Sequence, residues 1–331
     1  MKDFVSVDLF AGAGGASVGL RRAGFEHRLC VEWDADAAET LVAAGFPGTC
    51  GDVRDLSLYK DIERVDLLWA SPPCQAFSTA GSRLGALDER NGWPWTLNTI
   101  DHFIERGIGP RYVICENVPG LTYHSADCSG DANKCPGCYW EDWIVPEFQK
   151  RFDWVGHIMM NASDYGVPQH RRRVFLVAGT QQIRWPEATH GSLSSTLQGT
   201  MFSSPLKPWN TISDALGSGQ FLGGGTNPRT SEEREKRSYR NISDEPSTTV
   251  AAVQIGNAGP FVAEPDNELS LHSLSKLRRL TWRECAKLQG FPDNHPFQGK
   301  TKKSLYRQVG NAVCPQVSEV LGKAVIDAMR N

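Results

Sequence analysis

The first 180 residues alternate between strand-like and helix-like patterns. Short apolar runs typical of buried strands occur at "FVSVDLF", "HRLCVEW", "RVDLLWA", "RYVICEN" and "RVFLVAG". The segments "GASVGLRRAG" and "ADAAETLVAAG" predict helices that end at Gly24 and Gly45, and a further helix is predicted around Leu97 to Arg106. This alternation predicts an α/β fold with a mostly parallel sheet, which binds ligands outside the carboxyl ends of its strands.

The pattern changes after residue 180. From about 181 to 270 Gly, Ser, Thr and Pro dominate, and "GSGQFLGGGTNPRTS" has no helical period. Helical periods resume in "TWRECAKLQGF" and "PQVSEVLGKAVIDAM". We therefore predict a first domain over 1–180, a smaller irregular domain over 181–270, and a C-terminal segment over 271–331 that returns to the first domain.

Composition and charge narrow the class of protein. No apolar run reaches membrane-spanning length, and no leader pattern precedes the first strand, so we predict a cytoplasmic protein without membrane contact. Nine cysteines without a disulfide-framework spacing agree with a reducing compartment. The net charge is −3, but residues 271–331 hold eleven Lys and Arg against four acidic residues. This excess indicates a phosphate-binding face or ordinary solvated surface, and charge alone favours the second.

A glycine-rich loop joins the first strand to the first helix. "DLFAGAGGASVGL" places glycines where a ligand can approach the backbone beside a helix N-terminus. Ser17 stands where a nicotinamide-dinucleotide fingerprint needs its third glycine, so that cofactor class is disfavoured. Glu32 follows Gly12 by twenty residues and is suited to ribose hydroxyls, while Asp52 is suited to an adenine amino group. These features predict a site for a nucleoside-bearing cofactor.

A cysteine lies in a turn at a predicted strand end. In "SPPCQAFS", Pro72 and Pro73 fix two φ angles and stiffen the turn that carries Cys74. The turn is equally compatible with an incidental loop cysteine and with a nucleophile aimed at a substrate. Other motifs of the chain are needed to distinguish an incidental cysteine from a nucleophile.

Two other strand ends carry charged side chains. Glu116 begins "ENVPG" and is suited to be a proton donor or a hydrogen-bonding partner for a base, and the alternative is a solvated loop carboxylate. In "QHRRRVFLV" the period of two places Arg171 and Arg173 on one face, where they would hold a phosphate or a carbonyl oxygen. The alternative is a basic strand edge that resists pairing.

Six motifs together resemble the DNA (cytosine-5) methyltransferases. "DLFAGAGG", "SPPCQAFS", "ENVPG", "QHRRRVFLV", "LTWRECAKLQGFP" and "QVGNAVCP" occur in the order and rough spacing of that family. The resemblance covers nearly the whole chain apart from the Gly/Ser-rich region. It implies a Rossmann-like S-adenosylmethionine-dependent fold with a smaller target-recognition domain over 181–270.

The resemblance implies a mechanism. Cys74 would be the nucleophile that adds to carbon 6 of a flipped-out cytosine in a specific short DNA sequence, and Glu116 would contact ring nitrogen 3 and the amino group. Arg173 would hold the carbonyl oxygen at carbon 2, and Arg171 would support the same site. Asn117 would brace the Cys74 loop.

The resemblance also implies binding residues. S-adenosylmethionine would be held by Phe10, Ala11, Gly12, Gly14, Glu32, Trp33, Asp52, Val53, Pro72, Asn311, Ala312 and Val313. Double-stranded DNA would be contacted by Gln75, Ser78, Arg90, Asn117, Gln169 and Thr249. Phosphate contacts would come from Arg229, Arg234, Lys236, Arg237 and Arg240, of which up to half are as well explained as solvated surface.

A predicted zinc site follows "ENVPG". His124, Cys128, Cys135 and Cys138 have the spacing H-x3-C-x6-C-x2-C, which suits a tetrahedral zinc ion with no catalytic role. The family pattern does not require this insertion, and the alternative is three free cysteines in a surface loop.

Competing functions differ in their substrates. The leading interpretation is a monomeric DNA cytosine-5 methyltransferase, encoded alone, by a phage, or beside a cognate restriction endonuclease. A tRNA cytosine-5 methyltransferase shares this motif set, although the separate glycine-rich region favours DNA. A catalytically inactive DNA-binding module is disfavoured by the intact set of Cys74, Glu116, Arg171 and Arg173.

Overall fold

The computed structural model describes residues 4–73, 90–126, 128–192, 205–223, 240–251, 260–263 and 277–331. The chain forms two compact units. The first comprises Met1–Met160, Arg172–Pro186 and Ser318–Asn331, and the second comprises Asn161–Arg171 and Glu187–Val317.

These units differ from the predicted domains at three places, namely residues 161–171, residues 181–186, which lie in the first unit, and residues 271–317. Residues 161–171 belong to the second unit because their backbone pairs there: His170 N–H donates to Ser247 O at 2.7 Å, and Ser247 N–H donates to Pro168 O at 2.9 Å. Only Ser318–Asn331, and not the whole of 271–331, lies in the first unit. There Gly322 packs against Leu20 and Ala23 of the first helix.

The first unit is built on a seven-stranded sheet. Its strands are β1 Phe4–Leu9, β2 Phe25–Glu32, β3 Gly48–Cys50, β4 Leu67–Ala70, β5 Tyr112–Asn117, β6 Trp154–Asn161 and β7 Arg172–Gly179. The order is β3-β2-β1-β4-β5-β7-β6. Strands β1 to β5 pair in parallel, and β7 pairs antiparallel with β5. The strand order reverses between β1 and β4, so the ligand crevice of an α/β sheet is expected at their carboxyl ends.

Helices connect these strands as the alternating pattern predicts. They are α1 Gly15–Ala23, α2 Ala35–Ala43, α3 Trp93–Glu105, α4 Pro136–Tyr139, α5 Val145–Gln149 and the last helix Pro315–Arg330, with a π-helical turn at Trp140–Ile144. Helix α3 begins four residues before the predicted start, because Pro94 occupies its first turn, where a missing N–H costs nothing. No helix of the described segments is long and apolar enough to cross a membrane.

The second unit has its own small core. Four short strands, β10 Gln220–Gly223, β11 Arg240–Asn241, β12 Pro260–Ala263 and β13 Leu277–Arg279, form an antiparallel sheet, and β8 His190–Gly191 pairs with β9 Lys207–Pro208. The helices Ile212–Leu216, Trp282–Leu288 and Lys302–Asn311 complete the unit. Phe221, Ile242, Leu288 and Val309 lie in one buried cluster. Residues 277–317 therefore stabilise the second unit rather than the first.

The predicted α/β Rossmann-like fold is confirmed for the first unit. The predicted strands and helices recur in order, and the sheet is mostly parallel. The second unit is more regular than the Gly/Ser-rich composition suggested, because short strands pair across long sequence separations.

Candidate active site

The loop between β1 and α1 has an unusual backbone. Gly12 and Gly14 have φ of 57° and 82°, and Phe10, at 56°, is the one non-glycine residue with positive φ in the described part of the chain. A non-glycine residue in this region costs about 1–3 kcal/mol, which the surrounding fold must supply. A Cβ on Gly14 would lie 3.0 Å from Leu41 Cδ2, so this position is closely packed as well as left-handed. The loop is shaped for close ligand approach.

Glu32 holds that loop in place. Its carboxylate accepts N–H bonds from Gly12 and Asp34, both at 2.8 Å. Burial raises the pKa of Glu32, and the backbone N–H bonds oppose that rise. The next residue, Trp33, is 70% exposed. A carboxylate and an exposed aromatic ring side by side are suited to a ribose and a purine base.

Asp52 lies at the turn after β3. Arg54 Nε lies 3.0 Å from both carboxylate oxygens of Asp52, and the hydrogen bonds from Arg54 hold the pKa of Asp52 below its ordinary value. The guanidinium carbon of Arg54 also lies over the Trp95 ring, 4.7 Å from the ring centre. Val53 is buried, and its carbonyl accepts from Tyr59 Oη at 2.9 Å. Arg54, which the sequence analysis did not assign, therefore fixes the orientation of Asp52.

The turn after β4 is held from two sides. Asn117 Nδ2 donates to Pro72 O at 3.2 Å, and Asn117 Oδ1 accepts from Val118 N at 2.9 Å. A Cβ on Gly92 would lie 2.7 Å from Pro73 Cδ and 2.9 Å from Pro72 Cβ. Cys74, Gln75 and Ser78, which follow this turn in sequence, lie outside the described residues, and so do Arg229, Arg234, Lys236 and Arg237. Arg90, at the far border of the segment, is exposed.

Glu116 and Arg173 form an ion pair. Arg173 Nε lies 2.8 Å from Glu116 Oε1, and both side chains are largely buried. Pairing of β5 with β7 sets Glu116 opposite Phe175 and Asn117 opposite Val174, which brings the start of β7 to the carboxyl end of β5. A carboxylate and a guanidinium at one strand end can together recognise a planar ring that carries adjacent donor and acceptor groups.

Arg171 does not share the surroundings of Arg173. Strand β7 begins at Arg172, so the predicted alternation fails at Arg171, which lies in the second unit. There its guanidinium donates to Val250 O at 3.2 Å and to Gly310 O at 3.0 Å, and the residue is 3% exposed. In this structure Arg171 stabilises the backbone of the second unit.

Gln169 is likewise an internal residue of the second unit, which differs from the DNA-facing position expected for it. It is 0% exposed, and its Nε2 donates to Gln289 Oε1 at 2.7 Å while its Oε1 accepts from Val250 N at 2.9 Å. Gln289 in turn donates to Ala312 O at 2.5 Å. Gln289 was missed by the sequence analysis, although it stands in the quoted motif "LTWRECAKLQGFP".

The remaining predicted residues of the second unit lie at different depths. Thr249 is exposed, and its Oγ1 donates to His170 O at 2.7 Å. Asn311 is exposed at the end of its helix, whereas Ala312 and Val313 are buried.

Four metal-ligating side chains converge after β5. The Sγ atoms of Cys128, Cys135 and Cys138 lie 3.6, 3.5 and 3.5 Å from His124 Nδ1. All four ligand atoms lie within 4.8 Å of one another. The spacing H-x3-C-x6-C-x2-C therefore brings its members to one point.

Asp8, in the middle of β1, is fully buried beneath the glycine loop. Ser17 Oγ donates to Asp8 Oδ2 at 2.5 Å, and burial raises the pKa of Asp8 from 3.8 to about 7. A carboxyl group whose pKa is raised by folding stabilises the protein below its unfolded pKa, and that contribution is lost as the pH rises through its folded pKa. The first unit should therefore lose stability between about pH 4 and pH 7 through this one group.

We expect Asp8→Asn to remove that pH dependence. Relative to the wild type, the variant should gain unfolding free energy on the order of 2 kcal/mol between pH 5 and pH 8.5, because asparagine has no proton to lose. Urea unfolding at both pH values measures the difference. Asp61→Asn, on an exposed carboxylate, is the matched control and should show no such gain. An equal effect of Asp8→Asn at both pH values would contradict the prediction.

The chain is similar to a known protein family, to characterised relatives and to solved structures. The family model described as C-5 cytosine-specific DNA methylase matches residues 4–327. "Type II methyltransferase M.NaeI" of Lentzea aerocolonigenes is 32% identical over 99% of the chain and 76% of the relative, and "Type II methyltransferase M.NgoMIV" of Neisseria gonorrhoeae is 29% identical over 99% and 98%. Among solved structures, S. pombe Dnmt2 methyltransferase has a TM-score of 0.68 at 17% identity, covering 99% of this chain and all of its own, and supports the fold.

Proposed function

The chain belongs to the C-5 cytosine-specific DNA methylase family, and on that premise we propose how it methylates cytosine. We propose that a methyl group passes from S-adenosylmethionine to carbon 5 of a cytosine flipped out of duplex DNA, through a covalent adduct with Cys74. The observation that carries the proposal is the Glu116–Arg173 pair at the end of β5. The neighbouring parallel strand β4 leads directly into Pro72, Pro73 and Cys74.

Carbon 5 of cytosine is a weak nucleophile and needs activation. Addition of the Cys74 thiolate to carbon 6 forms a carbon–sulfur bond and moves the electrons of the 5,6 double bond to carbon 5. After methylation, loss of the carbon 5 proton restores the double bond as the carbon–sulfur bond breaks and the thiolate leaves. We assign the removal of that proton to water.

Glu116 and Arg173 act on the opposite edge of the ring. In its protonated form, Glu116 donates that proton toward nitrogen 3 and accepts a hydrogen bond from the amino group as electron density rises on the ring. Arg173 holds the carbonyl oxygen at carbon 2 while its Nε keeps the Glu116 carboxyl group oriented. General acid catalysis of this kind contributes roughly 10²- to 10⁴-fold to the rate.

The residues at the ends of β1 to β3 fit the proposed cofactor. When bound, S-adenosylmethionine would supply an electrophilic methyl group, and the electrons of the broken methyl–sulfur bond would stay on its sulfur, which leaves as a neutral thioether. Glu32 is suited to accept from the ribose hydroxyls, Trp33 to stack on the adenine, and Asp52, oriented by Arg54, to accept from the adenine amino group. The fit rests on these donor and acceptor types and on the open glycine loop.

The second unit is proposed to recognise DNA. A flipped base costs about a few kcal/mol to unstack, and contacts elsewhere on the duplex must offset that cost. Thr249, which is exposed, is proposed to contact the DNA. Because relatives are named Type II methyltransferases, we propose that the enzyme protects DNA against a cognate restriction endonuclease. We also propose that it is monomeric and cytoplasmic.

We expect tritiated methyl groups from S-adenosylmethionine to be transferred to duplex DNA and not to tRNA. Bisulfite sequencing of DNA from cells that express the protein should show methylation at one short sequence. The matched control is the same expression with Glu116→Gln. Transfer to tRNA alone would overturn the DNA assignment, and binding without any transfer would indicate an inactive DNA-binding module.

A further inference from the structure

The insertion after β5 has the geometry of a metal site. A zinc ion with bonds of about 2.3 Å to sulfur and about 2.0–2.1 Å to nitrogen requires tetrahedral S···N edges of roughly 3.6 Å. The three S···N distances to His124 Nδ1 are 3.5 to 3.6 Å. The Cys128 and Cys138 sulfurs lie 3.3 Å apart, far longer than the roughly 2.05 Å of a disulfide bond.

A carboxylate supports the histidine from outside the cluster. Glu141 Oε2 lies 3.3 Å from His124 Nε2, on the ring nitrogen that faces away from the sulfurs. A metal-bound histidine commonly donates its other N–H to such a carboxylate, which fixes the tautomer and leaves Nδ1 free to bind the ion. The sequence spacing of the four ligands gives no hint of this fifth residue.

His124 can approach the three cysteine ligands because residue 137 is a glycine. A Cβ on Gly137 would lie 2.8 Å from His124 N and 2.9 Å from its Cγ. Gly137 N–H donates to Tyr123 O at 3.1 Å, so the "CPGC" turn is bound to the segment that carries the histidine. Only a residue without a side chain fits at this crossing.

We propose that His124, Cys128, Cys135 and Cys138 bind one structural Zn²⁺ ion, with Glu141 orienting the histidine. Four protein ligands complete the tetrahedron and leave no position open for substrate, so the ion has no catalytic step. Its role is to close the insertion into a rigid knuckle.

The knuckle is joined to the start of α3. Tyr139, next to the ligand Cys138, accepts through its Oη from Asn91 Nδ2 at 2.8 Å. Asn91 Oδ1 accepts from Trp93 N at 3.2 Å, where α3 begins. The knuckle therefore braces the chain where it returns from the Cys74 segment. That consequence for catalysis rests on the proposed function, whereas metal binding does not.

Metal analysis of the purified full chain tests the site. We expect about one zinc ion per chain, with X-ray absorption showing three sulfur ligands and one nitrogen ligand. Cys128→Ser, at the exposed cysteine ligand, should lower the zinc content, while Cys50→Ser, at an exposed cysteine of β3, should leave it unchanged. Glu141→Gln should weaken zinc affinity by about 10- to 100-fold in chelator competition, without removing a ligand. Zinc-free wild-type protein from zinc-replete medium, or equal zinc in Cys128→Ser, would overturn the site.

Amide hydrogen exchange tests the bracing role separately. Zinc removal should increase exchange over residues 91–95 and 119–123, and re-addition of zinc should restore protection. Unchanged exchange there would contradict the bracing role. Neither measurement uses DNA or S-adenosylmethionine, so failure of methyl transfer would leave the zinc result intact. Conversely, a zinc-free chain that methylates DNA would refute only the zinc inference.

Discussion

Cys74→Ser should lower methyl transfer to duplex DNA by about 10⁴-fold or more, the order of loss seen when a covalent nucleophile is removed. A serine hydroxyl is scarcely ionised near neutral pH, and its oxygen adds poorly to the soft carbon 6 of cytosine. The thiolate is both the attacking and the leaving group in the proposed reaction, so its loss affects two steps. Tritiated methyl transfer under single-turnover conditions measures the effect.

A substrate that cannot complete the reaction distinguishes the nucleophile from a binding residue. In DNA that carries 5-fluorocytosine, carbon 5 has no proton to lose after methylation, so the adduct should remain covalent. The wild type and Cys50→Ser should both form a denaturation-resistant complex with this DNA, and Cys74→Ser should form none. DNA affinity of Cys74→Ser, measured by fluorescence anisotropy, should remain within a few-fold of wild type. A covalent complex with Cys74→Ser would refute the assignment.

The described residues on either side of the Cys74 segment hold the turn that precedes the proposed nucleophile. Pro72 and Pro73 follow β4, Asn117 holds the Pro72 carbonyl, and Gly92 packs against both prolines. The prolines and the strand end are visible in the sequence. The contacts of Asn117 and Gly92 are not, because they depend on the register of β5 beside β4 and on where α3 begins.

The residues at strand ends were predictable because their positions follow from local pattern. Glu32 and Glu116 each close an apolar run, and a parallel sheet brings the ends of such runs to one edge. The four ligands of the proposed zinc site were predictable for a different reason, since they lie within fifteen residues. Proximity in sequence left few possible arrangements for these four side chains.

The environments of Arg171 and Gln169 could not be predicted in this way. Arg171 donates to carbonyl groups 79 and 139 residues further along the chain, and Gln169 donates to a side chain 120 residues away. Period-two spacing places Arg171 beside Arg173 only if both lie in one strand, and β7 begins between them. The unit boundary at residue 171 is therefore a property of long-range pairing, which no local pattern reveals.

Glu116→Gln should lower the methyl-transfer rate by about 10²- to 10⁴-fold while retaining most of the affinity for DNA. Glutamine keeps the size of the side chain and its acceptor oxygen, but it cannot supply a proton to ring nitrogen 3. It also removes the charge that pairs with Arg173 at 2.8 Å. Glu39→Gln, on the exposed face of α2, is the matched control and should retain the wild-type rate.

Substitution of Arg173, the partner of Glu116, distinguishes the loss of proton donation from the loss of the ion pair. Arg173→Ala leaves the largely buried Glu116 carboxylate without its partner, and breaking such a pair costs about 3–5 kcal/mol of stability. Glu116→Gln should cost less stability, because a neutral amide remains to accept from Arg173 Nε. If Glu116 donates a proton, Glu116→Gln should slow methyl transfer even when its thermal unfolding temperature equals that of the wild type. A Glu116→Gln enzyme with wild-type single-turnover rate would remove Glu116 from the chemistry and leave it a structural partner of Arg173.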